Sequence, residues 1–369
     1  MRPGSEQEMS EAIRAASGPV RIVGGGTRGG FGTGEVIETG GLSGITLYEP
    51  GALTLVARAG TPLSEIEDAL ARENQRLAFE PMDHRALLGT RGKPTLGGVA
   101  AGNISGPRRI QAGAARDFML GVRFVDGSGT IVKNGGRVMK NVTGYDLVKL
   151  MAGSWGQLGV LTEISLKVLP VPEMQATLVL HGLNDRDAVA AMSRALGSPY
   201  EVTGAAHLPA SGRTCLRIEG FERSVQYRLE ALGQLFAEAA QDRIVDSAEN
   251  AILWQAIRDA EHLAESAGNI WRISVKPSDS PVVAERLGAK AHFFDWGGGL
   301  VWACLRRGDD ARHALTGISG HATLVRADPA DLAKLPRLQP EPPAIAKLTD
   351  GLRRKFDPRG LFRSEPVTA

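Results

Sequence analysis

The sequence predicts an α+β protein of about two domains. Three observations carry that expectation. The chain has 369 residues, more than one hydrophobic core usually organises. Its 46 glycines crowd into the first 160 residues, between short runs rich in β-branched residues. After Pro170-Val171-Pro172 the pattern changes to strand-like pieces alternating with amphipathic helices, as in an antiparallel sheet with helices on one face. The predicted boundaries are 1–170, 171–340 and a closing helix and tail over 341–369.

Residues 5–16 read as a short helix with Met9, Ala12, Ile13 and Ala16 on one side. Residues 19–23 read as a strand that runs into Gly24-Gly25-Gly26-Thr27-Arg28-Gly29-Gly30. Residues 46–50 and 53–59 are extended, with a Pro-Gly turn between them. Thr61 is a candidate N-cap with Pro62 at the first helical position, and Leu63, Ile66 and Leu70 mark the buried face of a helix ending near Asn74. Residues 81–94 are irregular. Thr95 to Gly106 form a second glycine-rich loop. A hairpin turns at Asp126-Gly127-Ser128-Gly129, a short helix covers 144–152, and 158–169 alternate as the longest strand. In the second domain, strands are expected over 176–180, 214–218, 270–275 and 300–305, and helices over 186–196, 224–240 and 248–260. The last helix covers 344–356. No internal repeat or low-complexity tract is visible.

Composition excludes several functions. Net charge is +2 and aromatics make up 5%, so neither a basic face nor a base-stacking platform for nucleic acid is expected. Cys215 and Cys304 lie far apart and outside any metal-ligand spacing, which predicts two buried thiols and no metal site. The N-terminus has no apolar leader and no stretch approaches 18 apolar residues, so a cytoplasmic protein without a membrane span is expected, with attachment to the inner face of a membrane through partners left open.

The candidate chemistry is in the glycines. Successive glycines after a strand let several N–H groups converge on one concavity, which suits phosphate oxygens. The run is not a dinucleotide fingerprint opening a long helix, nor a Walker loop, since no Gly-Lys-Ser/Thr follows. The second cluster offers Gly97, Gly98, Ala100, Ala101 and Gly102 for close approach, with hydroxyls on Thr95 and Ser105. A third cluster, Gly153-Ser154-Trp155-Gly156-Gln157-Leu158-Gly159, runs straight into a buried strand.

The order Gly24-Gly25-Gly26-Thr27, Ala59-Gly60-Thr61, Thr95-Leu96-Gly97-Gly98, Gly144-Tyr145-Asp146-Leu147 and Gly159-Val160-Leu161-Thr162-Glu163 resembles the vanillyl-alcohol-oxidase (PCMH-type) FAD-binding domain. The stretches 105–109, 115–122 and 138–147 are more particular, and resemble the FAD-binding E subunit of bacterial glycolate oxidase. The resemblance is strong over 18–172 and beyond that rests on length and on Phe356-Asp357-Pro358. It implies a PCMH-type domain of two α+β subdomains, followed by a smaller α+β domain. It implies FAD, with the pyrophosphate on the 24–30 loop, the ribityl and ring along 95–106, and the adenine end near Gly159, Val160 and Thr162. Carried over by position, the cofactor-binding residues are Gly24, Gly25, Gly26, Thr27, Arg28, Gly29, Thr95, Gly97, Gly98, Ala101, Gly102, Ser105, Asp117 and Val160.

The resemblance also implies an oxidoreductase subunit acting on a small 2-hydroxy acid beside a sister flavoprotein subunit and an iron–sulfur subunit. No flavin-linking histidine stands near Thr27, so noncovalent FAD is expected. His292, His313 and His321 are scattered rather than paired for a metal, and Leu361-Phe362-Arg363-Ser364-Glu365 replaces the family's usual tail, which leaves open whether the C-terminus contacts the flavin. No catalytic base is identified. A self-sufficient FAD oxidoreductase and a non-catalytic scaffold subunit stay open beside the subunit reading.

Other residues carry two readings. His84 is either a base near the flavin or, preferred, a solvated loop residue. Arg108-Arg109 either bind a substrate carboxylate or dock a partner. Lys140 and Asn141 either touch flavin or partner, or form a capping turn. Tyr145-Asp146 either orient the flavin or pack as a buried tyrosine on a carboxylate. Trp254, Trp271, Trp296 and Trp302 are expected in the second core, and Arg353-Arg354-Lys355 on a solvated helix face.

Overall fold

The computed structural model describes residues 1–28, 34–137 and 144–362. Two compact units emerge. The first comprises 1–105, 113–171 and the described residues from Glu341 onward; the second comprises 106–112 and 172–340.

In the first unit, helix α1 (Glu6–Ala15) is capped by Ser5, whose hydroxyl accepts from Glu8 N, and buries Met9, Ala12 and Ile13. Strand β1 (Val20–Val23) pairs in parallel with β2 (Glu35–Glu38). Next come β3 (Ile45–Glu49), β4 (Thr54–Arg58), α2 (Leu63–Ala71), β5 (Gln75–Arg76), α3 (Arg85–Leu88), α4 (Leu96–Gly102), α5 (Arg109–Ala112, part of the second unit), α6 (Ala115–Phe118), β6 (Met119–Val125), β7 (Ile131–Gly135), α7 (Leu147–Met151), β8 (Val160–Lys167) and β9 (Leu169–Pro170). An antiparallel five-stranded sheet runs in the order β3-β4-β8-β6-β7, and β5 pairs with β9. Six residues of β8 are buried, so its alternation is blurred by cover on both faces.

Two local expectations are corrected. Thr61 does not cap α2: Pro62 holds that position, while the Thr61 hydroxyl donates to Arg58 O at 2.7 Å and accepts from Gly44 N at 2.9 Å. The second glycine cluster is not a loop. It is helix α4, and Thr95 is its N-cap, accepting from Gly98 N at 3.3 Å.

The second unit contains β10 (Met174–His181), α8 (Asp185–Leu196), β11 (Gly204–Leu208), β12 (Arg213–Gly220), α9 (Glu222–Leu235), β13 (Gln241–Ile244), α10 (Ser247–Arg258), β14 (Asn269–Val275), α11 (Ser280–Leu287), β15 (Ala291–Asp295), β16 (Leu300–Leu305), β17 (Gly320–Arg326) and α12 (Pro329–Leu332). Its antiparallel sheet runs β13-β10-β12-β11-β15-β16-β14-β17. Each half of that order has the same topology, an outer fourth strand beside the first, then the third, then the second. The halves are therefore two ferredoxin-like motifs joined where His207 of β11 faces Phe294 of β15. The expectation of no internal repeat is corrected at the level of structure. In the second copy a short 3-10 turn, Ala311–Leu315, stands where α9 stands in the first.

The main core lies on one face of this sheet, where α8, α9 and α11 bring Val189, Met192, Leu229, Leu232 and Val283 against Leu178, Leu216, Trp271, Ile273 and Val301. Helix α10 packs on the other face: Trp254 Nε1 donates to Thr177 Oγ1 at 2.8 Å. The expected one-sided helix layer is thus corrected. Cys215 and Cys304 are buried free thiols, and burial pushes the Cys215 thiol up to about 12. Helix α13 (Pro343–Phe356) closes the described chain on the first unit, with Arg353, Arg354 and Lys355 exposed. No helix among the described residues is long and apolar enough to cross a membrane.

Candidate cofactor-binding site

Strand β1 delivers its C-terminal end into the glycine run, and the segment 92–95 crosses directly beneath it. A Cβ on Gly25 would fall 1.5 Å from Lys93 O, and Gly26 has φ of +69°, so side chains are excluded twice over at this turn. Thr90 Oγ1 donates to Thr27 O at 3.0 Å and ties the loop down. A cleft of about 1060 Å³, open mouth included, lies over the loop. Its walls are β1, the 24–28 loop, Gly97, Gly98 and Ala101 of α4, the turn Trp155-Gly156, and Gly159-Val160-Leu161 leading into β8.

The charged groups of the described lining are two arginines, Arg21 and Arg28. In each, the buried Nε has no hydrogen-bond partner. The Arg28 guanidinium has a weak contact to Met82 O at 3.4 Å, and burial pushes its pKa down to about 10, against a smaller opposing pull from Asp83. A Cβ on Gly98 would lie 2.9 Å from Arg28 Nη1, so the glycine makes room for that guanidinium. Two cations with orphaned N–H groups beside a glycine cradle fit an extended anion such as a dinucleotide pyrophosphate.

Of the residues expected at the flavin, Gly24, Gly25, Gly26, Thr27, Arg28, Thr95, Gly97, Gly98, Ala101 and Val160 meet in this one cleft. Gly102, Ser105 and Asp117 are not part of its lining. Gly102 packs against Ile104 and Trp155; the Ser105 hydroxyl donates to Asn103 O and accepts from Ala115 N; Asp117 turns back to accept from Ala114 N at 2.9 Å and pairs with Lys149 at 3.2 Å. Gly29, Lys140, Asn141 and the residues from Arg363 on lie outside the described residues.

Sequence reasoning missed Arg21, Thr39, Ala59, Trp155, Leu161 and Phe362, all of which line the cleft. Trp155 adopts φ of +54° beside Gly156 at +76°, an outlier that a glycine-flanked tryptophan hints at. At the C-terminal end, Asp357 accepts from Leu361 N and Phe362 N, which folds Phe362 into the wall of the cleft.

Other readings are corrected too. His84 is buried, with Nδ1 3.3 Å from Met82 O, and is no solvated loop residue. Arg108 is neither a surface cation nor a partner dock; it pairs with Glu219 at 2.5 Å, both side chains 3% exposed. Tyr145 is 89% exposed rather than packed, and Asp146 caps α7 through Lys149 N. Trp254, Trp271 and Trp302 are buried, whereas Trp296 is only partly so. Among the described residues no His, Cys, Asp and Glu group is arranged to hold a metal.

Comparison with known proteins adds a separate line. Residues 1–135 match a family described as FAD binding domain. The chain is 35% identical over 335 residues to glycolate oxidase subunit GlcE of Escherichia coli (strain K12), covering 89% of this chain and 86% of that protein. Over 85 residues it is 41% identical to glycolate oxidase subunit GlcD of Bacillus subtilis (strain 168), covering 23% of this chain and 18% of the other. A solved structure of alkyldihydroxyacetonephosphate synthase superposes with a TM-score of 0.68 at 13% identity, over 99% of this chain and 76% of that one, which shows a shared fold.

Proposed function

The chain belongs to the family of the glycolate oxidase subunit GlcE, and on that premise we propose that it is an FAD-binding subunit of a complex that oxidises glycolate or a similar small 2-hydroxy acid. The observation that carries the reading is the cleft in which Arg21 and Arg28 have unpartnered N–H groups over a glycine loop. The residues present fit FAD. The 24–28 loop and Arg28 would hold its pyrophosphate, Gly97, Gly98 and Ala101 would admit the group close to the α4 backbone, and Val160 and Leu161 would bound its other end. FAD, when bound, supplies a two-electron acceptor for oxidation of the CH–OH group. With no histidine at Thr27, binding is proposed to be noncovalent.

This chain's own residues then bind, orient and exclude. Leu161, Phe362 and Trp155 present apolar surface that displaces water, and the two guanidiniums offset phosphate charge. The described residues that line the cleft include no Asp, Glu or His to act as a base, which favours an electron-carrying role. The hydroxy-acid C–H cleavage is assigned in this proposal to a sister flavoprotein related to GlcD, and onward transfer to an iron–sulfur subunit. The proposed site of action is the cytoplasm, at the membrane only through those partners.

The test is the visible spectrum of the purified chain before and after anaerobic glycolate. Flavin absorbance that glycolate alone leaves unbleached, and that bleaches once the sister subunit is added, is the expected result. Bleaching by glycolate without a partner would replace the subunit reading with an autonomous dehydrogenase; a chain that takes up no FAD would sink both.

A further inference from the structure

Helix α13 carries an exposed apolar stripe that the flavin reading does not use. A proline at its first turn starts the helix, and the Thr349 hydroxyl donates to Glu341 Oε1 at 3.1 Å. None of its 14 residues is buried. Ile345, Leu348 and Leu352 are nevertheless spaced i, i+3 and i+7, the pattern of a helix face that packs against something. These three side chains are between 41% and 67% exposed. They form one aliphatic strip about 10 Å long.

The helix is held to the first unit by another side. The Phe356 ring centre lies 6.0 Å from that of Phe124, the Phe356 carbonyl accepts from Gly127 N at 2.8 Å, and Arg353 Nη2 donates to Gln157 Oε1 at 2.6 Å. Successive helical residues advance about 100° around the axis, which puts the stripe roughly a quarter turn from Phe356 and Arg353. The stripe therefore faces outward beside the body that holds the helix. Its charge is one-sided. Lys347, Arg353, Arg354 and Lys355 against the single Asp350 make the helix +3, whereas the whole chain is only +2. All four cations are exposed. Asp350 pairs with Arg353 at 3.5 Å, and among the described residues no acid pairs with the other three. By the same helical spacing Lys355 borders the stripe, and Lys347 and Arg354 stand behind it.

We propose that α13 is a surface-binding helix that lays Ile345, Leu348 and Leu352 into an anionic lipid bilayer, with its cations over the headgroups. An amphipathic helix of modest hydrophobicity and basic polar face lies in the plane of such a surface, its apolar side at the boundary of headgroups and chains. Charge and side-chain type select this occupant. A second copy would set one +3 helix against another. A protein groove is usually anchored by Trp, Tyr or Arg, and this stripe is aliphatic throughout. A sheet of anionic headgroups attracts cations wherever they stand around the helix, and the long arms of Lys and Arg reach it from the flank. No residue of α13 lines the flavin cleft, so the inference stands apart from the cofactor. It amends the proposed function at one point. That reading brings the chain to a membrane through partners alone, whereas α13 gives it a lipid contact of its own.

The experiment is flotation of the whole purified chain with two kinds of vesicle, phosphatidylcholine alone and phosphatidylcholine mixed with phosphatidylglycerol. Binding to the mixed vesicles is expected, with release as salt is raised to about 0.5 M. Leu348→Glu is expected to weaken that binding roughly tenfold at unchanged Tm and flavin content. Lys355→Glu is expected to weaken it and to flatten its salt dependence. If Leu348→Glu fails to fold, Leu352→Ser replaces it with the same expectation. Ile252→Glu, which removes an apolar side chain 71% exposed on α10, is the control and is expected to bind as wild type does. No binding to the mixed vesicles, equal binding to the neutral ones, or equal binding by the folded Leu348→Glu chain overturns the proposal. Self-association that Leu348→Glu abolishes, without vesicle binding, gives the stripe to a second copy and overturns it too. A colourless chain that still binds mixed vesicles through Leu348 supports this inference while refuting the proposed function, so the two failures are distinct.

Discussion

Arg28→Met is expected to move the empty and the loaded protein in opposite directions. Without an anion, the folded chain holds the Arg28 cation in a largely buried position, and burial pushes its pKa down to about 10. A group whose folded pKa is lowered in this way disfavours folding at every pH where it is charged, including pH 7. That fall corresponds to about 3 kcal/mol, an upper value, since Asp83 loses a favourable neighbour in the variant. Replacement by methionine keeps the volume and removes that cost. The loaded protein behaves otherwise. A charge-assisted bond to phosphate contributes about 1.5–3 kcal/mol, so FAD affinity is expected to fall by roughly 10- to 150-fold. The assay is a pair of thermal melts, with and without saturating FAD, together with equilibrium dialysis of the flavin. Wild type is expected to gain much more Tm from FAD than the variant does, and the variant to melt higher when both are empty. A variant that melts lower when empty and binds FAD normally would refute the reasoning, because Arg28 would then be a structural residue.

Three further expectations follow from geometry described above. Gly25→Ala forces a Cβ to within 1.5 Å of Lys93 O, so the 24–28 loop must shift; a loss of about 3 kcal/mol and of flavin retention is expected by melting and absorbance, and a yellow protein with wild-type Tm would count against the cradle. Burial pushes the Asp185 carboxyl up, but His207 and His292, whose Nε2 atoms lie at 3.5 and 2.8 Å, more than offset this and hold it well below the ordinary 3.8. Its stabilisation is therefore present above about pH 4 and lost as pH falls further, so Asp185→Asn should flatten the acid limb of a Tm-against-pH curve; superimposable curves would remove Asp185 from that role. Arg108→Met leaves Glu219 buried without its 2.5 Å partner and should cost about 3–5 kcal/mol, read by urea unfolding, with a near-neutral result showing that the nearby Arg217 takes over the charge.

Much of the first unit was legible because glycine carries a direct steric message. Gly25 and Gly98 mark places where backbone and side chain come too close for a Cβ, and the sequence shows both. The same letters misled at α4. Three glycines in seven residues read as a loop on helix propensity. The structure uses them for contact: a Cβ on Gly97 would stand 2.8 Å from that of Ala59, so the helix lies against the end of β4 at a distance only glycine permits, and Thr95 supplies the cap. Arg21 escaped notice because a lone arginine in an alternating strand looks solvated, and His84 because charged neighbours on both sides suggested exposure. The duplication of the second unit was hidden for another reason. Its two halves share strand order without sharing residues, and one crossover has shrunk to a single 3-10 turn, so no periodic signal survives in the letters.

The union of the two ferredoxin-like halves also settles how the second unit avoids sticking to itself. A four-stranded half standing alone would leave the long side of β11 or of β15 as an unpaired row of amides, an open template for any extended chain. Meeting at His207 and Phe294, the two strands shield each other. The outer borders are guarded by different means. Strand β13 is four residues long and carries Asp242 and Arg243, while β17 is screened by the 337–339 segment, whose Arg337 carbonyl accepts from Leu324 N and whose Gln339 side chain accepts from Ala322 N. Cutting the chain between α10 and β14 would therefore do more than halve a domain: it would turn one closed border into two adhesive ones.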